Sequence, residues 1–175
     1  MIKIFSVLQI IFLLIFFTNK SYSETKIVYL NMKQIMSESI AGKSIKKQLE
    51  KEHKDNLKAF SEYEKTLKSE EQSIVSQKAV LSKEEYQKKI SNLRDKARKY
   101  QVDRRNRIDS LNKKRINATS QMLTSINPIL AEYSDKNDIS LIMQKKDIVI
   151  GKSDLDITKK IMSILDSKVK NIKLK

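Results

Sequence analysis

The sequence has no cysteine and no tryptophan, only two glycines and a single proline. Without thiols there can be no disulfide, no thiolate metal site and no lipid-modified N-terminal cysteine, although this leaves the redox compartment open. So few glycines and prolines leave little material for tight turns, and long uninterrupted helices are the first expectation. Aromatic residues are sparse and uneven. Four of the five Phe (Phe5, Phe12, Phe16, Phe17) lie in the first seventeen residues, and the rest of the chain has one Phe and six Tyr. That is poor material for a large core. There is one histidine and no glycine-rich phosphate loop. His53 lacks the partners that a catalytic triad or a metal site requires. Glu70-Glu71 and Glu84-Glu85 are adjacent pairs. On a helix such neighbours point about 100° apart, which suits solvent better than acid/base work. Neither an enzyme nor a bound cofactor or metal is expected.

What the chain does have is basic charge. The formal balance is +15 over 175 residues. Such an excess points to nucleic acid, anionic lipid or an acidic protein partner, and the compartment decides among them. Lys3 opens a short positive start, Ile4 to Phe17 is apolar except for Ser6 and Gln9, and Ser21 and Ser23 are small. This is the pattern of a secretory signal cut after Ser23. The apolar run is shorter than the roughly 20 residues that span a bilayer. Removal of residues 1–23 takes Lys3 and Lys20 and no acid, leaving +13. Export to the periplasm discounts nucleic acid as a partner and favours anionic lipid, lipopolysaccharide or acidic unfolded chains.

Beyond the signal, Lys26 to Leu30 is β-rich and reads as a strand, and Asn31 can cap a brief helix from Met32 to Ser37. Gly42 interrupts, and a long helix is predicted from Lys43. Its stripe is Ile45, Leu49, Leu57, Phe60, Leu67 and Ile74, with His53 and Tyr63 between. Ser82 and Glu85 form a capping box that starts a second helix. Its stripe runs through Tyr86, Ile90, Leu93, Ala97, Tyr100, Ile108, Leu111, Ala118, Met122, Ile126, Ile129 or Leu130, and Tyr133; the helix can run to about Asn137, and Pro128 allows a bend before it. Two long helices with a short loop make an antiparallel hairpin. Positions 43–78 alone would span roughly 54 Å. Ile139 to Met143 and Asp147 to Ile150 then read as a β-hairpin, and Asp154 or Asp156 as the cap of a last helix.

The expected fold is mainly α with a small β body. Residues 24–42 and 134–175 form the body, and 43–133 form the inserted hairpin arm. A body near 60 residues is marginal alone, and open strand edges invite pairing. Oligomerisation is the simplest remedy, with Ile27, Val28, Ile139, Leu141, Ile142, Ile148 and Ile150 as the apolar strand positions for contact. The charge is concentrated on the arm. Between Lys88 and Arg115 there are twelve Lys/Arg, six of them Arg, against Asp95, Asp103 and Asp109. A solvated face is the ordinary meaning of such a run. Its Arg content and its apparent lack of acidic balance favour a binding role.

Four pieces in this order resemble the Skp/OmpH family of periplasmic chaperones. They are Lys26-Ile-Val-Tyr-Leu-Asn31, Gln101-Val-Asp-Arg-Arg-Asn-Arg-Ile108, Asp138-Ile-Ser-Leu-Ile142 and Asp156-Ile-Thr158. The resemblance implies a jellyfish-like homotrimer whose helical tentacles enclose a cavity and hold unfolded outer-membrane β-barrel proteins without ATP. It also associates the tentacle tips with anionic lipid or lipopolysaccharide, a role assigned here to no single residue. On this reading Arg94, Arg98, Arg104, Arg105 and Arg107 are the client-binding candidates. The rival reading is a coiled-coil envelope scaffold or tether that holds no client.

Overall fold

A computed structural model describes residues 25–174. The signal segment and its cleavage site lie outside the described residues. Strand β1 (Lys26–Leu30) leads into α1 (Met32–Glu38), α2 (Ile40–Ser76) and α3 (Lys83–Lys136); β2 (Ile139–Gln144) and α4 (Thr158–Lys168) follow. Single 3₁₀ turns at Lys145–Asp147 and Ser153–Leu155 separate the last two elements.

The two strands pair in parallel, Ile27 with Leu141, Val28 with Ile142 and Tyr29 with Met143. A parallel pair needs a crossover connection, and here the whole helical hairpin is that crossover. At 1.5 Å per residue, α2 is about 55 Å long and α3 about 80 Å. The tip is closed by the capping box read from the sequence: the Glu85 N–H donates to Ser82 Oγ and the Ser82 N–H donates to the Glu85 carboxylate. The Ser82 hydroxyl, which donates to the same carboxylate at 2.8 Å, and the Ser82 N–H together hold the Glu85 carboxyl below its ordinary range. Asn31 caps α1 by accepting the Gln34 N–H.

The core sits at the root of the arm. Val28 and Leu30 of β1, Ile35 of α1, Ala41 and Ile45 of α2, Met122, Ile126 and Ile129 of α3, and Ile161 and Leu165 of α4 are packed into one cluster. The C-terminal third of α3 therefore packs into this core, together with the start of α2. Further out the seam thins. The buried positions are Asn56, Phe60 and Ile74 on α2, with Tyr100 and Leu111 on α3. Leu57 and Ile108, both on the expected stripes, are instead 53% and 45% exposed.

Three expectations need correction. Asp147 to Ile150 is not a strand, so the described residues hold two strands and not three. Its β-branched residues have the right propensity, but no strand of the same chain lies beside them; the neighbour of β2 is β1. The arm helix starts at Ile40, with Ser39 accepting the Gly42 N–H as its cap. Gly42 is inside the helix because a Cβ there would fall 2.1 Å from the Met36 carbonyl oxygen. It permits close packing and does not end the element. The last helix is preceded by Ile157, which offers no side-chain cap; Asp156, one residue earlier, accepts the Thr158 N–H at 2.9 Å. As read from the sequence, the second long helix continues through Pro128 to Lys136.

Candidate functional site: the basic arm and the outer sheet face

The middle of the arm is organised by an aromatic group. Tyr63 stacks on Tyr100 at 5.1 Å between centroids, and Phe60 meets Tyr100 edge-on at 6.2 Å. Tyr100 donates its hydroxyl proton to Glu64. Burial, that hydrogen bond and the Glu64 charge hold the Tyr100 phenol above its ordinary value. Arg104 lies with its guanidinium 5.7 Å from the Phe60 ring centre, a cation–π contact. Two ion pairs cross the hairpin, Lys96 to Glu70 at 2.7 Å and Lys114 to Glu52 at 2.9 Å. Partly exposed pairs of this kind contribute about 0–1 kcal/mol each, so they fix register more than stability. They show that the basic run does have acidic partners, on the other helix, and that Glu70 is not merely solvated.

The five candidate arginines do not share one environment. All are on the exposed surface of α3. Arg98 pairs with Asp95 at 2.8 Å and Arg107 with Asp103 at 2.7 Å. Arg104 covers Phe60. Arg94 and Arg105 make no ion pair among the described residues; each lines an open groove of the hairpin. Arg115, which was not among the candidates, lines a third groove at the arm root together with Leu49 and His53. His53 is exposed. No signal short of the helix pairing could have singled out Arg115.

The body positions also divide. Val28 is buried in the chain's own core, and Ile139 and Ile142 pack against that core. Ile148 is partly buried. Ile27, Leu141 and Ile150 are 43%, 50% and 91% exposed. Ile27 and Leu141 are register partners, so they form a contiguous apolar pair on the outward face of the sheet. Simple alternation would put Ile139 and Leu141 on one face; the register shift opposite Lys26 and Ile27 separates them, so the sequence alone could not assign these faces.

Among the described residues no helix is long and apolar enough to cross a membrane, and no cluster of three or more His, Asp or Glu could hold a metal ion. No curated protein matches the chain. Among solved structures, it is similar to an OmpH-like outer membrane chaperone from Caulobacter crescentus, with a TM-score of 0.82 and 14% identity over 87% of this chain and 90% of that one. That likeness carries the fold. The family model described as outer membrane protein (OmpH-like) matches residues 26–165, which takes in the whole sheet, the arm and most of α4. The chain belongs to the OmpH-like family.

Proposed function

We propose that this chain is a periplasmic holding chaperone, exported by removal of residues 1–23, that binds unfolded outer-membrane β-barrel proteins as a homotrimer without ATP. The observation that carries the reading is the arm of an OmpH-like protein: a hairpin about 55 Å long with a thin apolar seam and a basic α3. Long-range attraction from α3 speeds the capture of acidic clients. Many weak apolar and ionic contacts then hold a client without fixing it in one pose. The exposed Ile27, Leu141 and Ile150 supply apolar surface for subunit contact in the body.

The test is dilution of a urea-unfolded outer-membrane β-barrel protein into the mature protein, followed by light scattering and native mass. Suppressed aggregation and a mass of three subunits plus one client are expected. Leu141→Asp should reduce the mass to one subunit, since an unpaired charge buried at the contact costs several kcal/mol. Unchanged aggregation in the presence of intact protein would favour the scaffold reading and reject the holding role.

A further inference from the structure

We infer that only one of the two faces of the arm binds client, and that it takes extended segments in which acidic side chains flank an apolar one. This rests on the chaperone reading above and adds the face and the pattern it recognises.

On an α-helix, residues seven apart return to nearly the same line. Along α3, Lys96, Asp103, Arg107 and Lys114 share one such line. The charges on it that lie opposite α2 or one turn apart are engaged: Lys96 with Glu70, Arg107 with Asp103, Lys114 with Glu52; Lys89, seven residues before Lys96, makes no ion pair among the described residues. Tyr63, stacked on Tyr100, covers the seam on the same side. That face is clasped shut by its own side chains. About a third of a turn away, Arg94, Gln101, Arg105 and Arg115 occupy the other side. Here no ion pair crosses the hairpin among the described residues, and the surface opens into three shallow grooves of about 580, 220 and 450 Å³ from tip to root. Arg94 lines the first, Arg105 the second and Arg115 the third. Of the four acids that line these grooves, Glu64 is taken by Tyr100 and Glu50 by Lys46, while Glu71 and Asp109 make no ion pair among the described residues.

The apolar element lies between the cations. Ile108 is between Arg105 and Arg115 in the sequence and lines the middle groove. The cross-hairpin pairs Glu70–Lys96 and Glu52–Lys114 set an antiparallel register in which Leu57 lies level with Ile108. Both are about half exposed. Helical rise places Arg94, Arg105 and Arg115 about 15–16 Å apart in succession. An extended chain rises about 3.3 Å per residue, so roughly five client residues bridge neighbouring arginines. A client segment with carboxylates at that spacing and an apolar side chain between them matches both the charge and the Leu57–Ile108 patch. Among the described residues the clasped face offers no unpaired arginine.

The experiment compares two double variants with equal charge change: Arg94→Glu with Arg105→Glu on the open face, and Lys89→Glu with Lys99→Glu on the clasped side, where Lys89 shares the line of Lys96 and Lys99 lies about 60° from it, away from the grooves. The probe is a fluorescent, urea-unfolded β-barrel protein of net negative charge, titrated at several salt concentrations. At low salt the open-face variant should lose about ten-fold or more in affinity, because two attractive contacts become repulsive. The clasped-face variant should stay within about two-fold of the parent. Leu57→Ser with Ile108→Ser should weaken binding at every salt concentration, as both side chains are exposed and non-ionic. The milder Arg94→Gln with Arg105→Gln repeats the comparison should the reversal disturb assembly. Equal loss in both charge variants would mean that net charge alone attracts clients and would overturn the inference. Parent-like affinity of the open-face variant would overturn it too, while leaving the holding role intact. A parent protein that binds no probe would reject the holding role itself.

Discussion

Replacement of Gly42 by Ala should destabilise the protein, although alanine is the better helix former. Two effects oppose one another. Ala gains about 1 kcal/mol over Gly in a helix interior, and less in the first turn, where Gly42 lies. Against this, the new Cβ would fall 2.1 Å from the Met36 carbonyl oxygen and 2.8 Å from its carbon. Those are backbone atoms of α1, so no side-chain rotation relieves the clash. Relief requires α1 to move by about 1 Å to restore van der Waals contact. But α1 is anchored by Ile35, which has no exposed surface, and its next residue, Ser39, caps α2. Overpacking of this kind costs about 1–3 kcal/mol, and the backbone partner puts Gly42 at the upper end. The net expectation is a loss of about 1–2 kcal/mol. With urea m-values of about 1–3 kcal/mol/M, the midpoint should fall by roughly 0.5–1 M. The assay is urea unfolding followed by helical circular dichroism at one fixed protein concentration, since assembly makes the midpoint concentration-dependent. Lys43→Ala, next along and exposed, is the control and should shift little. A Gly42→Ala protein as stable as the parent would refute the claim that this glycine exists for close packing.

Two further predictions concern how the arm is rooted. Glu132 of α3 accepts from Lys136 on its own helix and from Lys168 on α4, and these bonds and charges lower its pKa to about 2. A depressed carboxyl stabilises the fold above its unfolded pKa, near 4.5, and loses that contribution as pH falls through about 2. Glu132→Gln should therefore be less stable than the parent at pH 7, with the difference shrinking between pH 4.5 and 2; a pH-independent difference in thermal midpoint would contradict this. The chain after α4 is tied back to α2 by Gln48, whose amide donates to the Ile172 carbonyl at 2.8 Å and accepts the Leu174 N–H at 3.4 Å, while Ile172 is buried. Gln48→Ala should cost about 1–2 kcal/mol and speed amide exchange across residues 169–174; unchanged exchange there would mean the tail is held by Ile172 alone.

The features legible in the sequence are those decided within a few residues. Asn31 and Ser82-Glu85 announce helix starts because the capping bonds span three residues. The long α2 and α3 were legible for the same reason, as period and the scarcity of Gly and Pro both act locally. The strand at Ile148–Ile150 was misread because β-branched residues report only that a strand would be tolerated. A strand forms where a partner edge exists, and Val149 and Ile150 stand almost fully exposed beside none in this chain. Gly42 was misread in a related way. Its local meaning is helix interruption, while its actual role depends on a carbonyl six residues back across a bend at Ser39.

The arm poses the sharper case. Counted along the sequence, the basic run has three aspartates against twelve cations, and the natural conclusion is that most of its charge is unpaired. The missing acids are Glu70 and Glu52, 26 and 62 residues away from Lys96 and Lys114. Only the antiparallel register brings them into reach. Once it does, the run separates into a paired side and a side where Arg94 and Arg105 stand over grooves. The apolar stripe separates as well: Leu111 turns inward while Ile108 remains half exposed, level with Leu57. A two-helix seam buries less than a full hydrophobic stripe can supply, so some of its members must face outward. Where those members lie next to unpaired arginines, surface left over from folding becomes surface suited to holding another chain.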